Sequence, residues 1–118
     1  MKVLVDTDVW SEALRKRKGG KSIYVDELAD LIREGRLEII GPIRMKILSG
    51  IRDQETFDAF SESLSAFDDR SLPSEIYILA AKFFNLCRSK GIQGSNTDML
   101  ICACSVNWDI PILSKDKH

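Results

Sequence analysis

The sequence predicts an α/β fold, a mainly parallel sheet of short strands flanked by helices. Two observations carry this. Short apolar runs at Lys2–Val5, Leu37–Ile40 and Pro111–Leu113 alternate with helical segments of about ten or more residues. The first run, Val3-Leu4-Val5, is apolar at successive positions, so both of its faces must be buried, as in a central parallel strand. With 118 residues, one domain with one core is expected.

The first strand ends at Asp6, and Asp8 is placed to cap a helix over Val9–Arg15. The segment RKRKGGK follows and reads as a basic loop. Ile23–Arg33 carries Ile23, Leu28, Leu31 and Ile32 on a helical stripe, with Gly35 as a stop. After the second strand, Pro42 opens a helix that Gly50 ends. Phe57, Phe60, Leu64 and Phe67 are spaced for a helix over Asp53–Phe67. Asp68–Leu72 reads as a connector with room for a short strand. The longest helix spans Glu75–Lys90, with Ile76, Leu79, Ala80, Phe83 and Cys87 on one stripe. Tyr77, Ile78, Ala81 and Phe84 broaden that face beyond what one core contact needs. Gly91 and Gly94 mark a loop, and Asn96 is expected to cap an almost all-apolar helix over Thr97–Asn107.

Composition excludes several classes of function. The longest apolar runs fall far short of the ~20 residues of a membrane span, and acids follow the first run too closely for a secretory signal. A cytoplasmic protein is expected. Seventeen basic and eighteen acidic side chains nearly cancel, so net charge names no partner. Three cysteines without a CxxC pair fit neither a disulfide framework nor a zinc site, and are expected to be reduced core thiols. The one histidine, His118, is the last residue, which removes a histidine triad or a multi-histidine centre. A metal here would be held by oxygen, which favours Mg²⁺ or Mn²⁺.

Open α/β sheets bind ligands beyond the carboxyl ends of their strands. Asp6 and Asp116 follow two such ends, and Asp98 stands in the first turn of a helix behind the glycine loop. A first-turn aspartate is favoured there by the helix dipole without any further role. Asp6, ending a doubly buried strand, has no packing role and is costly unless paired. Three converging carboxylates remain ionised only beside a cation, and Mg²⁺ suits such a site.

The segments VLVDTDVW, IIGPIRMKILSG, GSNTDMLICA and PILSKDKH resemble, in order and spacing, the PIN-domain ribonucleases, above all the VapC-type toxins of toxin–antitoxin pairs. The resemblance runs through essentially the whole chain. It implies a PIN-like three-layer fold, with residues 1–118 forming a single PIN-like domain from which a C-terminal closing strand is expected to be missing. It further implies metal-dependent cleavage of RNA, a Mg²⁺ or Mn²⁺ cofactor, a cognate antitoxin partner and a homodimer. By position, Asp6, Asp98 and Asp116 match family acids that hold the metal. Thr7 and Ser114 match hydroxyl residues beside the first and last of these. A family glutamate, in a pattern like GPIRxEILSG, is replaced here by Lys46. An ammonium at that catalytic position is expected to pair with one or more of the three aspartates and to reduce metal affinity and cleavage strongly.

Arg15, Lys16, Arg17 and Lys18 are candidate RNA-binding residues through phosphate contacts; a merely solvated loop is the plain alternative. Trp10 and the broad apolar face of Ile76–Cys87 read as core, with a dimer or antitoxin surface as the other reading. Two rival functions stand beside the nuclease. One is a catalytically inactive PIN domain that binds RNA or antitoxin. The other is a haloacid-dehalogenase-like phosphatase, with Asp6 as nucleophile and Asp8 as acid, although the later acidic pair of that family is absent.

Overall fold

The computed structural model describes residues 1–15 and 22–115. Strand β1 (Val3–Val5) lies between β2 (Leu37–Glu38) and β3 (Ile112–Leu113), and both neighbours run parallel to it. Val3 pairs with Leu37 and Leu4 with Glu38 on one side. Leu4 pairs with Ile112 and Val5 with Leu113 on the other. All three β1 residues are buried, as their unbroken apolar run predicts.

Parallel neighbours require long crossovers. Helices α1 (Thr7–Arg15) and α2 (Ile23–Arg33) join β1 to β2. Helices α3 (Gly41–Leu48), α4 (Gln54–Leu64), α5 (Ser74–Ser89) and α6 (Asn96–Trp108) join β2 to β3. The core runs from Leu4 and Val5 through Val9, Ile43 and Leu64 to Ile76, all fully buried. Each such side chain contributes about 1.5–3 kcal/mol by leaving water. Trp10 is also buried, and meets Phe67 edge-on with ring centroids 5.4 Å apart.

Several boundaries differ from expectation for local physical reasons. Helix α1 begins two residues early because the Asp6 carbonyl accepts from Val9 and Trp10 N–H. Asp6, not Asp8, therefore stands at the cap. Helix α6 is capped by Ser95 rather than Asn96, because Asp98 completes a reciprocal capping box with Ser95. Helix α4 stops at Leu64, three residues before Phe67. Residues 68–72 form no strand, but Arg70 N–H donates to the Ile39 carbonyl at 2.9 Å, just past β2. The Arg70 side chain continues this stitch, pairing with Glu38 at 3.2 Å and covering the Trp108 ring at 3.9 Å. Gly35 and Gly50 adopt φ of 68° and 85°, the left-handed turns at which α2 and α3 are expected to stop.

The apolar stripes are narrower than their sequences suggest. On α2, Leu28 and Leu31 are buried, while Ile23 and Ile32 are exposed. On α5, Ile76 and Ala80 are buried, but Tyr77, Ile78 and Leu86 are more than half exposed. Among the described residues, no helix is long and apolar enough to cross a membrane.

Candidate functional site

Strand β1 delivers Asp6 to the carboxyl edge of the sheet. The Asp6 N–H donates to the Leu113 carbonyl at 2.9 Å, extending the β1–β3 ladder by one bond. The Thr7 N–H donates to Asp6 Oδ1 at 2.6 Å. Ser114, the first residue after β3, places its Oγ 3.2 Å from Asp6 Oδ2 and 3.3 Å from Asp8 Oδ2. A hydroxyl has one hydrogen, so it serves one carboxylate at a time. Lys115 N–H also donates to Asp8 Oδ2 at 3.1 Å, and the Lys115 ammonium pairs with Glu12 at 2.7 Å. Two acids of α1 thus tie down the chain leaving β3.

Asp98 enters from the start of α6. Its N–H is capped by Ser95 Oγ at 3.1 Å, and its Oδ2 accepts from Ser95 N–H at 3.1 Å. Its Oδ1 lies 3.9 Å from Lys46 Nζ. This pair is well exposed, so its attraction is modest. Lys46 reaches α6 because α3 is anchored on its other side. Arg44, two residues earlier and about 200° round the helix, pairs with Asp69 at 3.1 Å and donates to the Leu64 carbonyl at 2.9 Å and to that of Phe67.

Asp6, Asp98 and Ser114 line one cleft of about 760 Å³ together with Cys102, Ile112 and the loop before α6. Burial, helped by the charges of Asp8 and Asp98, raises the Asp6 carboxyl above its ordinary value of 3.8, against the lowering bond from Thr7. A carboxylate in that position binds a proton or a cation more readily than an exposed one. The donor set is oxygen, which fits a hard divalent ion in kind. Asp6 and Asp98 are the carboxylates that could hold one, and the Lys46 ammonium competes for Asp98. Among the described residues, no three His, Cys, Asp or Glu side chains gather closely enough to hold a metal by themselves.

Three of the residues singled out from sequence, Asp6, Asp98 and Ser114, share the cleft, and Lys46 meets Asp98. Thr7 is not on the cleft wall, and its Oγ1 is buried without a hydrogen-bond partner among the described residues. Arg15 is exposed at the end of α1. Asp116, Lys16, Arg17 and Lys18 lie outside the described residues.

Two residues gain a place that the sequence reading did not give them. Asp8 is a tether rather than a cap, and its Oδ1 is buried without a partner among the described residues. Cys102 is exposed on the cleft rather than buried in the core; of the three thiols only Cys104 is fully buried. The signal for Cys102 is its position four residues after Asp98, on the same face of α6. Partial burial and then the nearby negative charge of Asp98 raise the Cys102 pKa, whereas burial pushes Cys104 up to about 11. Both thiols stay protonated at neutral pH.

Ser95 carries the orientation of Asp98. Ser95→Ala is expected to cost about 1 kcal/mol, the usual value of an N-cap, and to lower the melting temperature by about 4 °C. Thermal denaturation followed by circular dichroism checks this; an unchanged midpoint would show the cap to be idle.

The architecture has a counterpart among solved structures. Its fold is that of a chain in the crystal structure of VapBC2 from Rickettsia felis bound to a DNA fragment from their promoter. The VapBC2 match covers 98% of this chain and 88% of the other, with a TM-score of 0.78 and 15% sequence identity. At that identity the VapBC2 likeness establishes shared architecture. No protein-family model matches the chain, and no curated protein matches it.

Proposed function

We propose that this chain is a VapC-type protein with a PIN-like three-layer fold. In this reading it is a metal-dependent endoribonuclease toxin of a toxin–antitoxin pair, with its cleavage impaired by Lys46. The observation that carries the reading is the meeting of Asp6, Asp98 and Ser114 in one cleft, on a fold shared with VapBC2. These residues come from the ends of two parallel strands and the start of a helix. Bound at Asp6 and Asp98, Mg²⁺ or Mn²⁺ would activate a water toward an RNA phosphodiester and stabilise the departing oxygen. By the sequence resemblance, Asp116 would be the third carboxylate of the set. Ser114 fixes the rotation of the Asp6 carboxylate. Asp6 is also the side chain best suited to hold a proton in the cleft, because burial and neighbouring acids raise its affinity for one. Arg15 to Lys18 would supply sequence-independent phosphate contacts. A protein partner, an antitoxin or a second copy, belongs to the same reading.

Lys46 favours a second reading for this chain, a PIN-like module that binds RNA or antitoxin without cutting. Its ammonium faces the Asp98 oxygen that the cap leaves over. The phosphatase reading is disfavoured by Asp8, whose Oδ2 accepts from the Lys115 N–H instead of being presented to a substrate.

The test uses the chain and its Lys46→Glu variant, each incubated with single-stranded RNA and Mn²⁺ and resolved on a denaturing gel. Cleavage by the variant, well above that of the parent, is the expected result. If the variant leaves RNA intact and takes up no Mn²⁺ by calorimetry, the nuclease reading falls. Cleavage by the parent at the variant's rate would remove Lys46 as the impairment.

A further inference from the structure

A second cavity, of about 380 Å³, opens beside the acid cleft. Ile92, Gln93, Gly94 and Met99 line both, so they form the wall between the two spaces. Beyond that wall stand Phe84 and Arg88 from the last turns of α5. With Cys87 between them, the lining offers one aromatic ring, one guanidinium, one thiol, one amide and a flexible thioether. Arg88 lies over the Phe84 ring at 5.9 Å, and has no carboxylate partner among the described residues. Most other arginines of the described fold are committed to ion pairs, as with Arg33, Arg36, Arg44 and Arg70. Ile92, 53% exposed, adds an apolar edge at the rim.

We propose that this cavity receives one unstacked nucleobase of a single-stranded RNA, stacked on Phe84, with Arg88 turning from the ring to the adjoining phosphate. The proposal rests on the reading of the acid cleft as the place where RNA is held. Four features support it. The volume falls within the range of small-molecule sites and admits a base with its ribose. Aromatic rings and guanidinium planes are the usual platforms for splayed-out RNA bases. The Gln93 amide offers both a donor and an acceptor to a base edge. An acid-lined cleft repels a phosphodiester chain, and an uncommitted cation next door offsets this. A base within a duplex cannot reach such a cavity, so the substrate must be single-stranded at that nucleotide.

Gly94 gives a probe of the passage. A Cβ there would come within 2.6 Å of the Met99 methyl, the far end of a flexible side chain, so Gly94→Ala displaces Met99 and leaves the backbone in place.

The experiment measures fluorescence anisotropy with a labelled short single-stranded RNA and with a hairpin that pairs the same bases, in metal-free buffer. The chain is compared with Phe84→Leu, Arg88→Gln and Gly94→Ala, with thermal melts to confirm folding. The single strand is expected to bind more tightly than the hairpin. Phe84→Leu and Arg88→Gln are each expected to weaken single-strand binding about tenfold, with hairpin binding unchanged. Gly94→Ala is expected to act in the same direction. Because Arg88 is exposed, its variant decides the matter should Phe84→Leu fail to fold. Equal binding of both RNAs, or single-strand affinity kept by the folded variants, overturns the base site. If the parent binds single strands and the variants do not differ from it, the base site falls while the RNA reading stands. If the parent binds neither RNA, both fall.

Discussion

Lys46→Glu is expected to turn a weak cation site into a firm one. The substitution removes the ammonium that lies 3.9 Å from Asp98 and adds a carboxylate in its place. Losing an outer-shell partner of a metal ligand typically costs 10–100-fold in affinity. Gaining a ligand and losing a competing charge should exceed that, so Mn²⁺ affinity is expected to rise by at least about 100-fold. The stability change should reverse sign with the ion. Without metal, the variant loses an exposed ion pair, worth about 0–1 kcal/mol, and gains a like charge, so it should melt below the parent. With Mn²⁺ at about 100 times the dissociation constant, linkage adds about 2.7 kcal/mol, and it should melt above. Differential scanning calorimetry with and without Mn²⁺ measures both limbs. A variant that the ion leaves unmoved would show that Lys46 is not what keeps cations out.

Asp6→Asn is expected to separate stability from function. The folded Asp6 carboxyl holds its proton more tightly than the 3.8 of an unfolded chain, chiefly through burial. The folded state therefore binds more protons between 3.8 and the raised value, and stability falls as pH rises through that window. At neutral pH the full penalty is present, and Asn removes it while keeping an oxygen for the Thr7 N–H. The metal-free Asp6→Asn chain should gain on the order of 1 kcal/mol, as relieved charge clusters commonly do, and lose the downward slope of stability above pH 4. The same change in the Lys46→Glu background should abolish the Mn²⁺-induced rise in melting temperature and any RNA cleavage. Urea denaturation at pH 4 and pH 7 checks the first part. An Asn variant less stable at pH 7 would mean that the carboxylate is stabilising where it sits.

Much of this arrangement is legible in the sequence, because burial leaves clear periodicities. Val3-Leu4-Val5 announces a strand covered on both faces, and it is the middle strand. The stripe on Ile23–Arg33 gives α2 its observed limits, because Gly35 stops it at a left-handed turn. Asp6, Asp98 and Ser114 are legible through their places at element ends, where α/β folds gather ligands. What pattern does not carry is the partner of a polar side chain. Asp8 looks like a cap because it precedes an apolar helix, but its partners lie more than 100 residues away. Cys102 looks like core because its neighbours in sequence are apolar, yet the helix turns it to the cleft. The width of the α5 face is likewise misleading. Tyr77 and Ile78 sit beside buried Ile76, and only the packing decides which of them the core covers.

The contact between Ser114 and Asp6 spans 108 residues of chain. Loop-closure entropy makes such distant pairings slow to form. The middle strand is synthesised before β3 and lacks that neighbour until residues 112–113 have left the ribosome. Until then its edge stays bare, and residue 6 has neither its hydroxyl partner nor a cleft around it. A nascent chain that has not yet released residues 112–114 therefore carries pieces of the pocket without the pocket, and whatever chemistry the pocket performs is withheld until those residues emerge.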